Sequence, residues 1–523
     1  MFSVRGKWFS AAPNLGLWLT LVASLLVFSY LQTAPTFADP DSFYHVKLTT
    51  MMRDQGLVRE FPWTQSSLYR ELFIDHHLGY HLLLMPFVSA LPNDLVGAKL
   101  ATVIFASLSV LAAAWVMRRW RVPWWGVGVV LMLTCGPLLF RLSLVKAPSV
   151  GIGAAILGYY LITERKVGWL LLWSWFFSWL YSAWPLLMVM ALVYVSVEAA
   201  GDWQYGWRAA LGRLRQRSNL VLLGAVAGGS VLGLVFNPYF PVNLFYLKQL
   251  FTMALVSYHE FIGVGAEWYP YGLATLPADI AYLLLTWLLA TMVGVATLRR
   301  QTTLSRTTWV LAVVFLLYTL KARRQVEYLT PWLVMSAGLA LRDAVPNWSL
   351  AVLRQRFTIF RSWLPVWLKG NFVLGFVALY LAVLVPWGLW RGIARTHGEL
   401  RGGLPITNLA PAATWLKANS PPRSIVFQSD WGSFPELFYY NTHNYYLTGL
   451  DQTFMYEYDR GKFWQWVDTT QAKRHDVYDV AKGTFGASYL LLERQYPAML
   501  TWINRDDRFR KVYEDGEAII YQL

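Results

Sequence analysis

Residues 15–33 read LGLWLTLVASLLVFSYLQT, and the chain then turns polar at Asp39-Pro40-Asp41-Ser42-Phe43-Tyr44-His45-Val46-Lys47. An uncharged apolar run of this length matches the roughly 20 residues that carry a helix across a bilayer. A second polar cluster, Asp75-His76-His77, comes before the next membrane-length segment. Acidic groups where a span meets water are costly and are kept where something uses them. Two such clusters on one side of a membrane point to a reaction or ion site there.

Composition agrees with a membrane-embedded chain. Of 523 residues, 56% are hydrophobic and only 14% charged, against about 25% charged in soluble domains. The 28 tryptophans and 29 tyrosines suit the aromatic belts at bilayer interfaces. Cys135 is the only cysteine, which excludes a disulfide framework and a cysteine metal site. The net charge of +15 is assigned to inner loops, and nucleic-acid binding is excluded.

Eleven spans are expected, at about 15–34, 95–117, 123–140, 150–163, 167–181, 184–199, 219–236, 278–298, 307–320, 326–342 and 371–393. With Arg5 and Lys7 cytoplasmic, the inner connections should be basic. They carry Arg118-Arg119-Trp120-Arg121, Arg165-Lys166, Arg208 through Arg217, Arg299-Arg300 with Arg306, and Arg342 through Lys369. Residues 35–94, 141–149, 237–277, 321–325 and the tail then lie outside. A retained first span is preferred to a cleaved signal peptide, although Thr36-Phe37-Ala38 loosely resembles a cleavage site. No internal repeat is evident, which argues against a transporter of repeated halves.

The expected organisation is a transmembrane domain, 1–393, with external loops 35–94 and 237–277, followed by a small extracytoplasmic α/β domain, 394–523. In the tail, 424–428 and 489–493 read as strands and residues from Pro411 open a helix. Asp515-Gly516 lies between two further extended runs, a hairpin signal.

On the outer face, Asp39 and Asp41 read either as a carboxylate pair for proton abstraction or metal binding or as a helix cap at a loop start. Tyr44, His45 and Lys47 favour the functional reading. Asp75 and His77 offer oxygen and imidazole ligands within one turn, with His81 on the face of His77; the alternative is an interfacial helix with a polar first turn. Arg141 and Lys146 occupy a short external loop, and Lys321, Arg323 and Arg324 the mouth of the tenth span, with Glu327 one turn further in. Cations at this depth need a partner, and a phosphate is a natural one; lipid head groups or nearby acids are the other reading. Glu267 beside Trp268 is weak evidence by itself. In the tail, Asp430-Trp431-Gly432 and Tyr439 through Tyr446, including His443, read equally as a ligand-binding surface or as a domain interior.

These residues, taken in order, resemble the GT-C membrane glycosyltransferases, and most of all the oligosaccharyltransferase catalytic-subunit family. Asp41-Ser-Phe-Tyr-His45-Val-Lys47 resembles that family's first acidic motif and Arg53 through Trp63 the stretch after it. Glu267 sits where the family keeps a functional Glu, Arg323 and Arg324 where an Arg meets the donor phosphate, and Asp430-Trp431-Gly432 resembles a reduced Trp-Trp-Asp-Tyr-Gly signature. The loop between the third and fourth spans reads Arg141-Leu-Ser-Leu-Val-Lys146, without the family's second acidic motif; an acid-His-His form, Asp75-His76-His77, lies one loop earlier.

The resemblance implies transfer of a sugar or glycan from a polyprenyl-(di)phosphate donor to an extracytoplasmic protein, lipid or polysaccharide, with inversion. Asp41 would act on the acceptor, assisted by Asp39, Asp75 or Glu267. Arg141, Lys146, Lys321, Arg323 and Arg324 would hold the phosphate, and Tyr44, His45, Asp430, Trp431 and His443 the acceptor. A divalent cation (Mg²⁺ or Mn²⁺) on Asp41, Asp75 and His77 stands beside a metal-independent site as the alternative. A flippase for lipid-linked sugars is the rival function. Arginine-rich inner loops and the lack of disulfides suit a bacterial inner membrane, with the N-terminus inside and the C-terminal domain outside.

Overall fold

The computed structural model describes residues 14–272, 274–345 and 379–523. Arg5, Lys7, most of the stretch from Arg342 to Lys369 and the start of the expected span at 371–393 lie outside the described residues. The first helix, Leu15–Leu31, is followed by a two-residue strand, β1 (Thr36–Phe37), and by the Asp41–Gln55 helix. Pro40 precedes that helix, and its fixed φ suits a helix start. Asn93 caps the 26-residue Asp94–Arg119 helix by accepting from Leu95 N–H and Val96 N–H, as short polar side chains do at helix starts.

Among the described residues, four helices are each long and apolar enough to cross a membrane: Asp94–Arg119, Arg217–Val235, Thr275–Ala296 and Thr303–Lys321. A broken pair, Trp125–Leu133 and Gly136–Leu142, makes a fifth if it is one span, although it bends by 83°. Leu15–Leu31, Leu78–Ala90, Pro148–Thr163, Val167–Leu180 and Leu186–Gly201 are apolar but shorter. The multi-pass helical architecture is therefore present, whereas a count of eleven full spans is not reached among these residues. Pro137, following Gly136, cannot continue the ladder of the preceding helix. It opens a new one whose last turn carries Arg141.

Small residues let these helices approach closely, as is common where lipid removes the hydrophobic drive between them. Gly153 lies against Ser109 of the Asp94–Arg119 helix, and Gly229 against the Leu171 carbonyl of the Val167–Leu180 helix.

The Val385–Arg401 helix runs through residue 394, so the chain enters its terminal domain only beyond it. Strand β2 (Leu404–Pro405) pairs antiparallel with β1, two residues before Asp39. The domain's sheet has the order β4-β3-β5-β7-β6, with β3 (Ile425–Gln428), β4 (Tyr445–Tyr446), β5 (Tyr489–Glu493), β6 (Arg510–Glu514) and β7 (Ala518–Gln522). Strands β4, β3 and β5 run parallel and β5, β7 and β6 antiparallel. The α/β tail and its terminal hairpin are as expected from sequence.

This domain is seated on the loop 35–94 that follows the first helix. Tyr44, Leu48, Met51, Met52 and Phe61 share one buried cluster with Phe434, Leu437, Phe438 and Tyr446. Gln65 N–H donates to Tyr446 O at 2.7 Å, Tyr446 N–H to Trp63 O at 2.8 Å, and the Trp63 indole N–H to Thr442 O at 2.9 Å. The Asp41–Gln55 helix is thus clamped between membrane helices and sheet domain, which holds its first residue in one place.

Candidate active site

Asp39 and Asp41 converge on one cation. Lys146 Nζ lies 2.6 Å from Asp39 Oδ2 and 2.7 Å from Asp41 Oδ2. The other oxygen of Asp39 accepts from Asp41 N–H at 2.9 Å, so the carboxylate both starts the helix and grips the lysine. Lys146 stands in the tight turn between the Gly136–Leu142 and Pro148–Thr163 helices, and its carbonyl accepts from the Ser149 hydroxyl at 2.8 Å. Asp41 keeps 26% of its side chain open to solvent, which leaves an incoming group room to reach it.

A second set of charges adjoins the first. Arg141 Nε donates to Glu327 Oε2 at 2.8 Å, and its Nη1 pairs with Glu267 Oε2. The other oxygen of Glu267 pairs with Arg324 Nη1 at 3.1 Å. Arg324 also donates to the Tyr181 hydroxyl at 3.3 Å and rests over the Trp268 ring at 4.4 Å. The Tyr181 hydroxyl donates to Glu327 Oε1 at 2.8 Å. Glu267 therefore bridges two arginines, while buried Glu327 and Tyr181 support them from beneath.

Three cations (Arg141, Lys146, Arg324) here face four carboxylates (Asp39, Asp41, Glu267, Glu327). Burial pushes the Asp41 carboxyl up to about 6; Lys146 opposes the rise, and Asp39 and Glu267 add to it. Burial pulls Lys146 down, but Asp39, Asp41 and Glu267 outweigh it and hold the ammonium above its ordinary value. Burial likewise raises Glu267, yet Arg141, Arg324 and Lys146 overcome this and hold it below the usual carboxylate range. The site thus contains one carboxylate raised toward neutrality, Asp41, beside another, Glu267, held as an anion by its arginines. Such separation is what acid–base work at neutral pH requires.

No family model matches this sequence, and no curated protein is similar to it by sequence. Solved structures are similar in fold. The oligosaccharyltransferase AglB from Archaeoglobus fulgidus, in complex with an inhibitory peptide and a dolichol-phosphate, aligns with a TM-score of 0.63 at 12% identity, over 95% of this chain and 72% of that one. ArnT from Cupriavidus metallidurans bound to undecaprenyl phosphate aligns with a TM-score of 0.57 at 15% identity, over 98% of each chain. The mycobacterial arabinofuranosyltransferase AftD aligns at 0.56 and 14% identity, over 98% of this chain and 40% of that one. This chain shares the GT-C fold of these solved structures.

Other residues singled out from sequence take different places in this GT-C fold. Asp75 does not contact Asp41. Its carboxylate receives His81 Nδ1 at 2.7 Å and His77 N–H at 3.0 Å, and His81 Nε2 meets His45 Nδ1 at 2.8 Å. A carboxylate only accepts, so His81 Nδ1 is the donor to Asp75. The buried chain Asp75–His81–His45 thereby pins the Asp41–Gln55 helix to the Leu78–Ala90 helix. His81 was expected to share the face of His77 but reaches back to Asp75 instead. Asp41, Asp75 and His77 are thus not gathered as a ligand set, and among the described residues no three His, Cys, Asp or Glu side chains are placed to hold a metal ion.

Tyr44 and His45, expected to meet an acceptor, are 4% exposed and packed among Phe61, Phe438 and His81. The His443 ring meets the Ser420 carbonyl at 2.9 Å inside the terminal domain, where buried Asn441 and Asn444 bond each other. Arg323 braces the loop 237–277, donating from its backbone to Tyr269 O at 3.0 Å and from its side chain to Pro270 O at 3.1 Å. Lys321 lines a small cleft with Tyr258, Trp268, Tyr318 and Asp451. Trp431 comes closer to that loop. With the Gln452 amide oriented to satisfy its neighbours, it accepts from the Trp431 indole N–H and donates to Gly263 O at 3.1 Å. Asp430 precedes it, its carboxyl raised by burial. Tyr181 had no signal in the sequence, since an aromatic at a helix end reads as a belt residue.

Proposed function

We propose that this protein transfers a sugar or glycan from a polyprenyl-phosphate or -diphosphate donor to an acceptor on the outer side of the membrane. The observation that carries the reading is the contact of Asp41 with Lys146 at 2.7 Å, beside the Arg141–Glu267–Arg324 bridge. A poised base and an anion grip stand at one rim of the bilayer. The lipid phosphates bound in two fold neighbours, a dolichol-phosphate in AglB and undecaprenyl phosphate in ArnT, are of the chemistry this pairing would accept.

A place for the lipid tail adjoins the site. A cavity of about 610 Å³ is lined by apolar residues of four helices, among them Trp18, Leu111, Trp115, Leu157, Trp173 and Leu180. Its outer end includes Leu180, next in sequence to Tyr181, and Val150, four residues after Lys146.

In the transfer, the acceptor's nucleophilic atom attacks the anomeric carbon as the bond from that carbon to the phosphate oxygen breaks. The bonding pair leaves with the phosphate and the acceptor proton goes to Asp41. Negative charge grows on the departing oxygen, so fixed guanidinium and ammonium groups favour the transition state over the bound donor. Attack from the side opposite the phosphate inverts the sugar centre. A divalent cation is compatible with this scheme if it arrives with the donor, since the carboxylates already exceed the cations.

The test is transfer of label from a synthetic polyprenyl-phosphate sugar to acceptor by the purified protein, with and without a chelator. Transfer dependent on Asp41 supports the reading. Movement of the lipid across liposomes without transfer would replace it with a flippase.

A further inference from the structure

The anion seat of this site is already filled, by the protein itself. Both oxygens of the Glu267 carboxylate are engaged, one on Arg141 and the other on Arg324. Two cations sharing two oxygens of one group is the arrangement a single phosphate would take, since carboxylate and phosphate present similar oxygen pairs to arginine. The surrounding charge forbids simple addition. The carboxylates already outnumber the cations, and Lys146 is committed to Asp39 and Asp41. A phosphate can enter only by exchange, and the carboxylate able to leave is Glu267. Glu327 is fully buried in a helix, whereas Glu267 keeps 25% of its side chain exposed. It stands on the short turn Ala266–Trp268 in an external loop, between Gly265 and the chain that Arg323 braces.

We propose that Arg141 and Arg324 form a seat for one phosphate group and that Glu267 occupies it as an internal competitor until the donor's phosphate displaces it. The inference rests on the proposed reading of the site as a lipid-phosphate site and adds a gate to it. On exchange, Trp268 leaves the face of Arg324 together with Glu267, so the turn at 265–268 loosens from the membrane domain as donor binds. The freed carboxylate then lies outside the seat, on the loop that faces the incoming acceptor. Phosphate-free isoprenoids do not open the gate, because only an anion can replace the carboxylate between the two guanidinium groups.

The experiment measures binding of inorganic phosphate and of farnesyl monophosphate, with farnesol as control, to full-length protein in lipid nanodiscs. If the seat is filled about nine-tenths of the time, emptying it strengthens apparent affinity about tenfold. Glu267→Gln should bind both phosphates about tenfold tighter than the unaltered protein and farnesol no better. Asp39→Asn removes the same charge from the same cluster without vacating the seat; it should tighten binding by clearly less. Hydrogen exchange of the peptide spanning 256–268 should rise when farnesyl monophosphate is added to the unaltered protein, and should be raised in Glu267→Gln without ligand.

Equal gains in Glu267→Gln and Asp39→Asn, or weaker binding in Glu267→Gln, would overturn the gate. So would exchange at 256–268 that falls on donor binding, or failure of either phosphate to bind any of the three proteins. Phosphate binding with these differences but no transfer of label would leave the gate standing and remove the transferase reading. Transfer without the differences would do the reverse.

Discussion

In the proposed transfer Asp41 is the residue on which the chemistry turns, because burial pushes its carboxyl up to about 6. A base must be ionised to take a proton, so kcat/KM should fall as pH drops through about 6 while Asp41 becomes protonated, and level off above it. Asp41→Asn keeps the shape but cannot accept the proton, and transfer should drop by about 10²–10⁴-fold with thermal unfolding little changed. Asp39→Asn should cost less, since Asp39 acts by holding Lys146 and the helix start. Lys146→Met tests the sign of the coupling. Lys146 opposes the rise of the Asp41 carboxyl, so its removal should move the acid limb of the pH–rate profile to higher pH, and a profile unmoved by Lys146→Met would uncouple the two. Asp39, Asp41, Arg141 and Lys146 were legible in the sequence because charge beside a membrane span is costly and short loops leave it no distance to escape. Tyr181 was not legible, and Glu327 was visible only as a neighbour of Arg324. Their role depends on helices more than 140 positions apart meeting at one point. The histidines misled for a related reason: His77, with His81, was close enough in type and spacing to Asp75 to suggest a ligand set, and His45 an acceptor contact, yet His45 and His81 bond each other and His81 bonds Asp75 in the interior.

At the level of helices and strands, position follows from breaks and small residues. The bend of 83° after Leu133 brings Arg141 to the cluster. Sequence reading treated 123–140 as one span because its apolar run is continuous, and Gly136-Pro137 sits too near the end to look like a break. The strands of the tail were easier, since short apolar and aromatic runs, the last two flanking Asp515-Gly516, leave few alternatives. Tyr181 holds its place because Gly151 leaves room: a Cβ there would stand 2.6 Å from the Tyr181 ring. Gly151→Val should therefore displace Tyr181 from Arg324 and Glu327 while leaving Asp41 untouched. The expected result is a raised KM for the lipid-phosphate donor with a smaller change in kcat, and a stability loss of about 1–3 kcal/mol from overpacking. Steady-state kinetics over a donor series would show it. An equal fall in kcat with KM unchanged would mean that Tyr181 acts on the chemical step.

For the whole molecule, the question is why a membrane protein of this fold carries its terminal domain. The domain's buried aromatics do not stop at its own boundary. Phe438 is fully buried, with ring centroids 5.2 Å from Phe61 and 5.1 Å from Trp63 in the loop 35–94, and 6.3 Å from Tyr44 on the helix that begins with Asp41. Phe427 is equally buried, but it packs within the domain against Phe485 at 5.7 Å. Replacing either by Ala removes a buried ring, a change that costs about 3–5 kcal/mol. The consequences should nevertheless differ. Phe427→Ala weakens the domain alone, and at temperatures where it remains folded transfer should persist. Phe438→Ala opens the contact that clamps the Asp41–Gln55 helix, so the carboxylate loses its fixed distance to Lys146. Misplacement of about 1 Å in a catalytic group can cost about 10²-fold in rate, and a loss of that order is expected for Phe438→Ala under conditions where its domain is still folded by limited proteolysis. If the two variants lost activity only in proportion to the fraction unfolded, the domain would be a passenger on the membrane part, and the precision of Asp41 would have to come from the Asp75–His81–His45 chain and Lys146 alone.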